Sequence, residues 1–99
     1  MKVFIYGTLK RKKILEEALG EKHGKTLTKA YLPGYKVVTV KADSDTWPSI
    51  QPGKDVITGD VIDVTVNEFD KLKRWEDHYM PHHVTTTKGE AMTFIFEQP

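Results

Sequence analysis

The stretch Val3 to Leu9, reading Val-Phe-Ile-Tyr-Gly-Thr-Leu, sets the tightest limit on what this chain can fold into. Four β-favouring residues run straight into Gly7, and a lysine- and arginine-rich helical pattern follows at once. A buried strand that stops at a glycine and opens into a helix leaves several backbone N–H groups unpaired at one point. With the positive end of the helix dipole behind them, those groups suit a carboxylate or a phosphate. A strand closed by a turn glycine is also an ordinary feature, and this stretch alone does not choose between the two readings.

Periodicity organises the remainder. Within Lys10 to Leu19, the residues Ile14, Leu15, Ala18 and Leu19 share one helical face, and Gly20 is placed to close the helix. The cations Lys10, Arg11, Lys12 and Lys13 crowd the helix start against the macrodipole, either as a solvated basic face or as an attraction for an anion at that helix end. Glu21 to Lys29 is polar and loop-like. Ala30 to Val40 reads as strand, with Pro33-Gly34 as a turn or bulge. Lys41 to Asp55 reads as loop around an apolar island, Trp47-Pro48-Ser49-Ile50, which either anchors the core or walls a cleft. Val56 to Val66 alternates as a strand, and Gly59 within it signals a bulge or a close backbone approach. Asn67 with Asp70 suits the start of a second helix. His82 to Thr87 and Ala91 to Phe96 form a hairpin around Lys88-Gly89, with the last strand inside the sheet. The order is β-α-β-β-α-β-β, an α+β chain whose residues 1–99 are expected to form one domain.

One carboxylate stands out in the second helix. With residues about 100° apart and Phe69 at the origin, Leu72 falls near about 300°, Tyr79 near about 280° and Glu76 near about 340°. Glu76 therefore sits in the apolar stripe, where an unpaired carboxylate is very costly. Either the helix frays or a lysine pairs with it, or Glu76 is a general acid/base whose pKa desolvation raises. The second reading gains force if it faces the turn at Gly7 to Leu9.

Charge and composition exclude several classes. A formal net charge of +1 supplies no global field for nucleic acid or an anionic membrane. No apolar run approaches a bilayer span, and the N-terminus lacks a secretory pattern. The chain has 0 cysteines, so disulfides, a thiolate nucleophile and cysteine-based zinc are out, and a reducing, cytoplasmic setting fits. His78, His82 and His83 resemble metal ligands, but Pro81 breaks any helix between them and neighbouring strand residues point to opposite faces, so no metal is assigned. Neither Ser49 nor Thr8 has a histidine at a spacing that argues a triad.

Tyr6-Gly7-Thr8-Leu9 after a hydrophobic strand resembles the Tyr-Gly-Ser/Thr-Leu signature of the γ-glutamylcyclotransferase-like proteins, and the longer wording through Lys10-Arg11 is most similar to the γ-glutamylamine cyclotransferase branch. The similarity continues through Gly34-Tyr35, the Trp-Pro-Ser-Ile island, Gly59-Asp60-Val61, Leu72 with Glu76 and Tyr79, and the hairpin at Gly89-x-Ala91. The resemblance implies a small mixed β-barrel with two flanking helices. It also implies a cleft in which the backbone of Gly7, Thr8 and Leu9 holds a substrate α-carboxylate, Tyr6, Pro48 and Tyr79 contribute contacts, and Glu76 is the acid/base. The implied reaction releases 5-oxoproline and an amine or amino acid from a γ-glutamyl compound, with no cofactor. The chain departs from the family at Lys12-Lys13-Ile14-Leu15 and at Met80-Pro81-His82-His83. The alternative reading is therefore a non-catalytic member whose cleft binds a small anionic metabolite or a protein partner. The expected partner is a small γ-glutamyl substrate or other small carboxylate, and the oligomeric state is left open.

Overall fold

In the computed structural model, residues 1–6, 8–42, 44–75 and 78–96 are described. Seven elements follow the expected order: β1 (Lys2–Tyr6), α1 (Thr8–Leu19), β2 (Thr28–Ala42), β3 (Asp45–Asp63), α2 (Val66–Trp75), β4 (Tyr79–Thr86) and β5 (Gly89–Phe96). The strands form one mixed sheet in the order β2-β3-β1-β5-β4. β1 runs antiparallel to β3 and parallel to β5, with Val3 beside Met92. The sheet curls, because the turn after β4 meets the opposite edge. There the Thr87 N–H donates to the Tyr31 carbonyl at 2.9 Å and the Tyr31 N–H to Thr87 Oγ1 at 2.9 Å. The result is a half-barrel with two helices, an α+β fold as expected.

Alternation along β1 sorts the core. Phe4 packs inward with Ala30, Leu32, Ile50, Ile57, Val61, Val84 and Ala91. Val3 and Ile5 face the other way, against Ile62, Val64 and Phe94, with Leu15 of α1 and Leu72 of α2 closing that side. Leu15 and Leu72 are 0% and 2% exposed, and burying each such side chain stabilises by about 1.5–3 kcal/mol. Ala18, Leu19 and Phe69 are half-buried in the same layer, which explains why the helical stripes read from sequence point where they do. Gly20 closes α1 with a left-handed φ of 96° and an N–H donated to the Glu16 carbonyl at 2.9 Å.

Several boundaries differ from expectation, three of them in ways that bear on the site or the packing. The segment expected as a loop over Lys41 to Asp55 is mostly strand: Lys41 pairs with Thr46, Thr39 with Pro48 and Tyr35 with Pro52 in a long β2–β3 hairpin. Among the described pairings this half of β3 bonds to β2 alone, and its prolines, Pro48 and Pro52, are tolerated on such a one-sided stretch. The Pro33-Gly34 feature is a bulge, where the register shifts between Pro33 and Tyr35 and Gly34 has φ 86°. The last hairpin begins at Tyr79 rather than His82, so Tyr79 is a strand residue and not a late turn of the second helix.

The third difference is the start of α2. Thr65, not Asn67, is the cap: the Glu68 N–H donates to Thr65 Oγ1 at 3.1 Å and the Thr65 N–H donates to Glu68 Oε1 at 2.8 Å. This is a reciprocal capping box, and it wins over Asn67-Asp70 because glutamate reaches back better than aspartate. Val66, expected as the end of a strand, is 67% exposed at the helix start. Lys25 adds a 2.6 Å ion pair to the same Glu68 oxygen, tying the segment after α1 to α2. The Lys25 ammonium, helped by the Thr65 N–H, holds the Glu68 carboxyl below its usual range. Thr65→Ala is expected to cost about 1 kcal/mol in chemical denaturation. A carboxyl lowered by folding contributes stability above its unfolded pKa, and loses it as pH falls through the folded value. Glu68→Gln should therefore be less stable than the parent at neutral pH, with the gap closing in acid below the ordinary glutamate range. A gap independent of pH would show that the charge on Glu68 contributes nothing.

Candidate functional site

Of the residues singled out in the sequence, Tyr6, Pro48 and Tyr79 come together where β1 and β5 end side by side. α1 begins at Thr8, so the backbone of Thr8 and Leu9 forms its first turn beside the carboxyl end of β1. The leading N–H groups of a helix have no partner within it, and here they emerge at the end of a parallel strand pair. Gly7, which joins the two elements, lies outside the described residues, as do the side chains of Thr8 and Leu9.

Tyr6 is half-buried, lies over Phe4 at 6.4 Å between ring centres, and donates its hydroxyl proton to the Phe94 carbonyl. That bond ties β1 to β5 one residue before the turn. Pro48 and Tyr79, remote in sequence, meet directly, with the Tyr79 hydroxyl donating to the Pro48 carbonyl at 2.8 Å. The Tyr79 ring stands edge-on to Phe96, with centres 5.3 Å apart and planes at 88°. Tyr6, Pro48 and Tyr79 are thus linked through the last residues of β5. Glu76, the carboxylate singled out by the helical stripe, lies outside the described residues. The described part of α2 ends at Trp75, and Tyr79 belongs to β4 rather than to the stripe drawn through it.

Sequence reasoning missed part of the framework. Ser49 is 1% exposed and its Oγ accepts the Phe96 N–H at 2.9 Å, which makes it a strut between β3 and β5. Trp47 stacks on Phe96 at 6.4 Å with planes 11° apart, and His78 packs against both rings at 6.3 Å and 6.0 Å. The apolar island itself was the signal, since a serine among Trp, Pro and Ile needs a partner once buried. His83 lies 3.5 Å from Glu90 at the surface, and no cluster of three metal-ligating side chains occurs among the described residues. Among the same residues, no helix is long and apolar enough to cross a membrane.

A cavity of about 330 Å³ opens next to this framework. Tyr35, Val38 and Val40 of β2 form one wall and Ser49 to Pro52 of β3 another. His82 of β4 and Ile95 and Phe96 of β5 complete it.

Residues 3–99 match the family described as Gamma-glutamyl cyclotransferase, AIG2-like. Among curated proteins, no sequence matches the chain. Solved structures share the fold. An uncharacterized protein of Pyrococcus horikoshii, PH0828, superposes with a TM-score of 0.73 at 21% identity, covering 100% of this chain and 80% of its own. YtfP of Escherichia coli gives 0.71 at 20% identity, covering 100% of this chain and 85% of its own. YkqA of Bacillus subtilis gives 0.81 at 17% identity, covering 99% of this chain and 40% of its own. At these identities the likeness is one of fold.

Proposed function

Because the chain belongs to the Gamma-glutamyl cyclotransferase, AIG2-like family over residues 3–99, we propose that it is a cofactor-free γ-glutamyl cyclotransferase. The observation that carries this reading is the family match itself, which spans the Tyr6–Leu9 turn, Glu76 and the Pro48–Tyr79 contact together. In this reading the α-carboxylate of a γ-glutamyl group docks on the backbone amides at the start of α1. Glu76, three residues before Tyr79 in sequence, takes a proton from the α-ammonium and frees the amine to attack.

The α-nitrogen forms a bond to the γ-carbonyl carbon, and the bond from that carbon to the outgoing amine breaks. The ring nitrogen sheds two protons in all and the departing amine gains two, so Glu76 can carry protons from one to the other with no net uptake. The products are 5-oxoproline and the amine or amino acid. Holding the substrate folded on itself converts a loose encounter into an oriented one, which is worth several kcal/mol of the barrier. No redox step or external nucleophile enters the reaction. A chain without cysteine needs no oxidising compartment, and a cytoplasmic location goes with this reading.

The test is 5-oxoproline release from a panel of γ-glutamyl amino acids, γ-glutamyl-ε-lysine and glutathione. Turnover of at least one is expected. A folded protein that turns over none of them, yet binds a small carboxylate, would instead be a non-catalytic binder.

A further inference from the structure

The cavity beside Tyr79 and Phe96 is lined mainly by apolar side chains and, among the described residues, by no acidic one. Most of its wall is apolar, from Val38, Val40, Ile50, Pro52, Ile95 and Phe96, and Tyr35, Ser49, Gln51 and His82 are its polar members. None of the described residues lining it is a lysine, arginine, aspartate or glutamate. The one buried hydroxyl there, Ser49, already accepts the Phe96 N–H. An ammonium placed inside would lose hydration without gaining an opposing carboxylate from these residues, which is unfavourable. Apolar tails have the opposite balance, since each buried methylene is favourable by about 0.8 kcal/mol.

We propose that this cavity seats the released half of the substrate, so that the protein selects γ-glutamyl compounds of amines carrying an uncharged apolar group. The inference rests on the cyclotransferase reading and names the substrate class for it. Position supports it as strongly as composition does. Val3 lies beside Met92 in the parallel β1–β5 pair, so Tyr6 is level with Ile95, which lines the cavity. Phe96 belongs both to that wall and to the contact with Tyr79. In the proposed arrangement, the amine half of a substrate held at the start of α1 extends along the sheet toward these side chains. The volume of about 330 Å³ is at the lower end for small-ligand pockets and suits a tail the size of a leucine or phenylalanine side chain. Val38 and Val40 are half-buried on one face of β2, so substitution there alters the cavity without opening the core.

Two amides of equal length separate the possibilities: γ-glutamyl n-hexylamide, and γ-glutamyl 5-aminopentylamide, whose tail ends in an ammonium. The hexylamide is expected to have a kcat/KM at least about tenfold higher. Val40→Asp should erase or invert that ratio, and the near-isosteric Val40→Thr should narrow it if the aspartate variant does not fold. Equal values, or a preference for the ammonium tail, would overturn the inference while leaving a cyclotransferase in place. If neither amide is turned over while a compound of the panel above is, the inference fails and the cyclotransferase reading stands. If nothing is turned over at all, that reading fails, and equilibrium binding of the same two amides decides the cavity. Tighter binding of the hexylamide supports the assignment, and equal binding or none rejects it.

Discussion

Glu76→Gln is expected to slow 5-oxoproline formation by about 10²–10⁴-fold, the range for losing one positioned general acid/base. Glutamine keeps the size and hydrogen-bonding reach of the side chain but cannot accept and return a proton. At neutral pH most of the substrate's α-amine is protonated, since such groups titrate near about 8, and an ammonium has no lone pair with which to attack. The variant therefore has to wait for the small fraction of free amine, and it has no acid for the departing nitrogen. It still holds the substrate in its folded conformation, and orientation alone can lower a barrier by about 7–11 kcal/mol in the best cases. Residual activity above the uncatalysed rate is thus expected, together with substrate binding within a few-fold of the parent. The decisive comparison is single-turnover rate against binding constant. A rate that survives while the fold is intact would remove Glu76 from the proton-transfer role. A rate and an affinity that fall together would make it a binding residue.

Local features of this site were legible in the sequence and long-range ones were not. The Tyr6–Leu9 junction is written in consecutive residues, so a strand, a glycine and a helix pattern reveal it without a partner. The element order is legible for the same reason. The Pro48–Tyr79 bond and the Ser49–Phe96 strut join residues 31 and 47 positions apart, and no local pattern encodes such pairings. Three local readings also misled. Lys41 to Asp55 reads as loop in the sequence, although it is mostly strand, and a strand bonded on one side tolerates both Pro48 and Pro52. An aromatic at position 79 fitted the helical period by chance, although it begins β4 and its hydroxyl reaches across to β3. The alternation Ile62, Val64, Val66 carried the strand past Thr65, where the better capping box sits. Gly59 is the contrasting case, since a glycine inside an alternating strand announced a bulge or a close approach, and the structure contains the close approach.

Gly59→Ala is expected to destabilise the fold by about 1–3 kcal/mol, the usual cost of an overpacked site. Two effects oppose each other here. Alanine restricts the unfolded chain more than glycine does, which by itself would favour the variant by about 0.4–1 kcal/mol. Against it, a β-carbon at residue 59 would lie 2.4 Å from the Ile5 carbonyl oxygen and 2.6 Å from Cζ of Phe4. Gly59 pairs with Tyr6, so relieving the first contact pulls β1 away from β3 at the residue that precedes the turn. Relieving the second moves a ring that is 1% exposed and stacks on Tyr6. Neither neighbour is the free end of a flexible side chain, so the steric cost outweighs the entropic gain. Urea unfolding of Gly59→Ala measures the balance, and a variant as stable as the parent would mean that β1 and β3 separate without penalty. A second substitution apportions the cost. Phe4→Leu removes the ring contact but leaves the carbonyl contact, so the double variant should recover only part of the interaction, visible as a non-additive term between the two sites. Complete recovery would assign the whole cost to the ring. Partial recovery would show that backbone proximity at Ile5 demands glycine here, and that the strand carrying Tyr6 to the turn is held in place from behind.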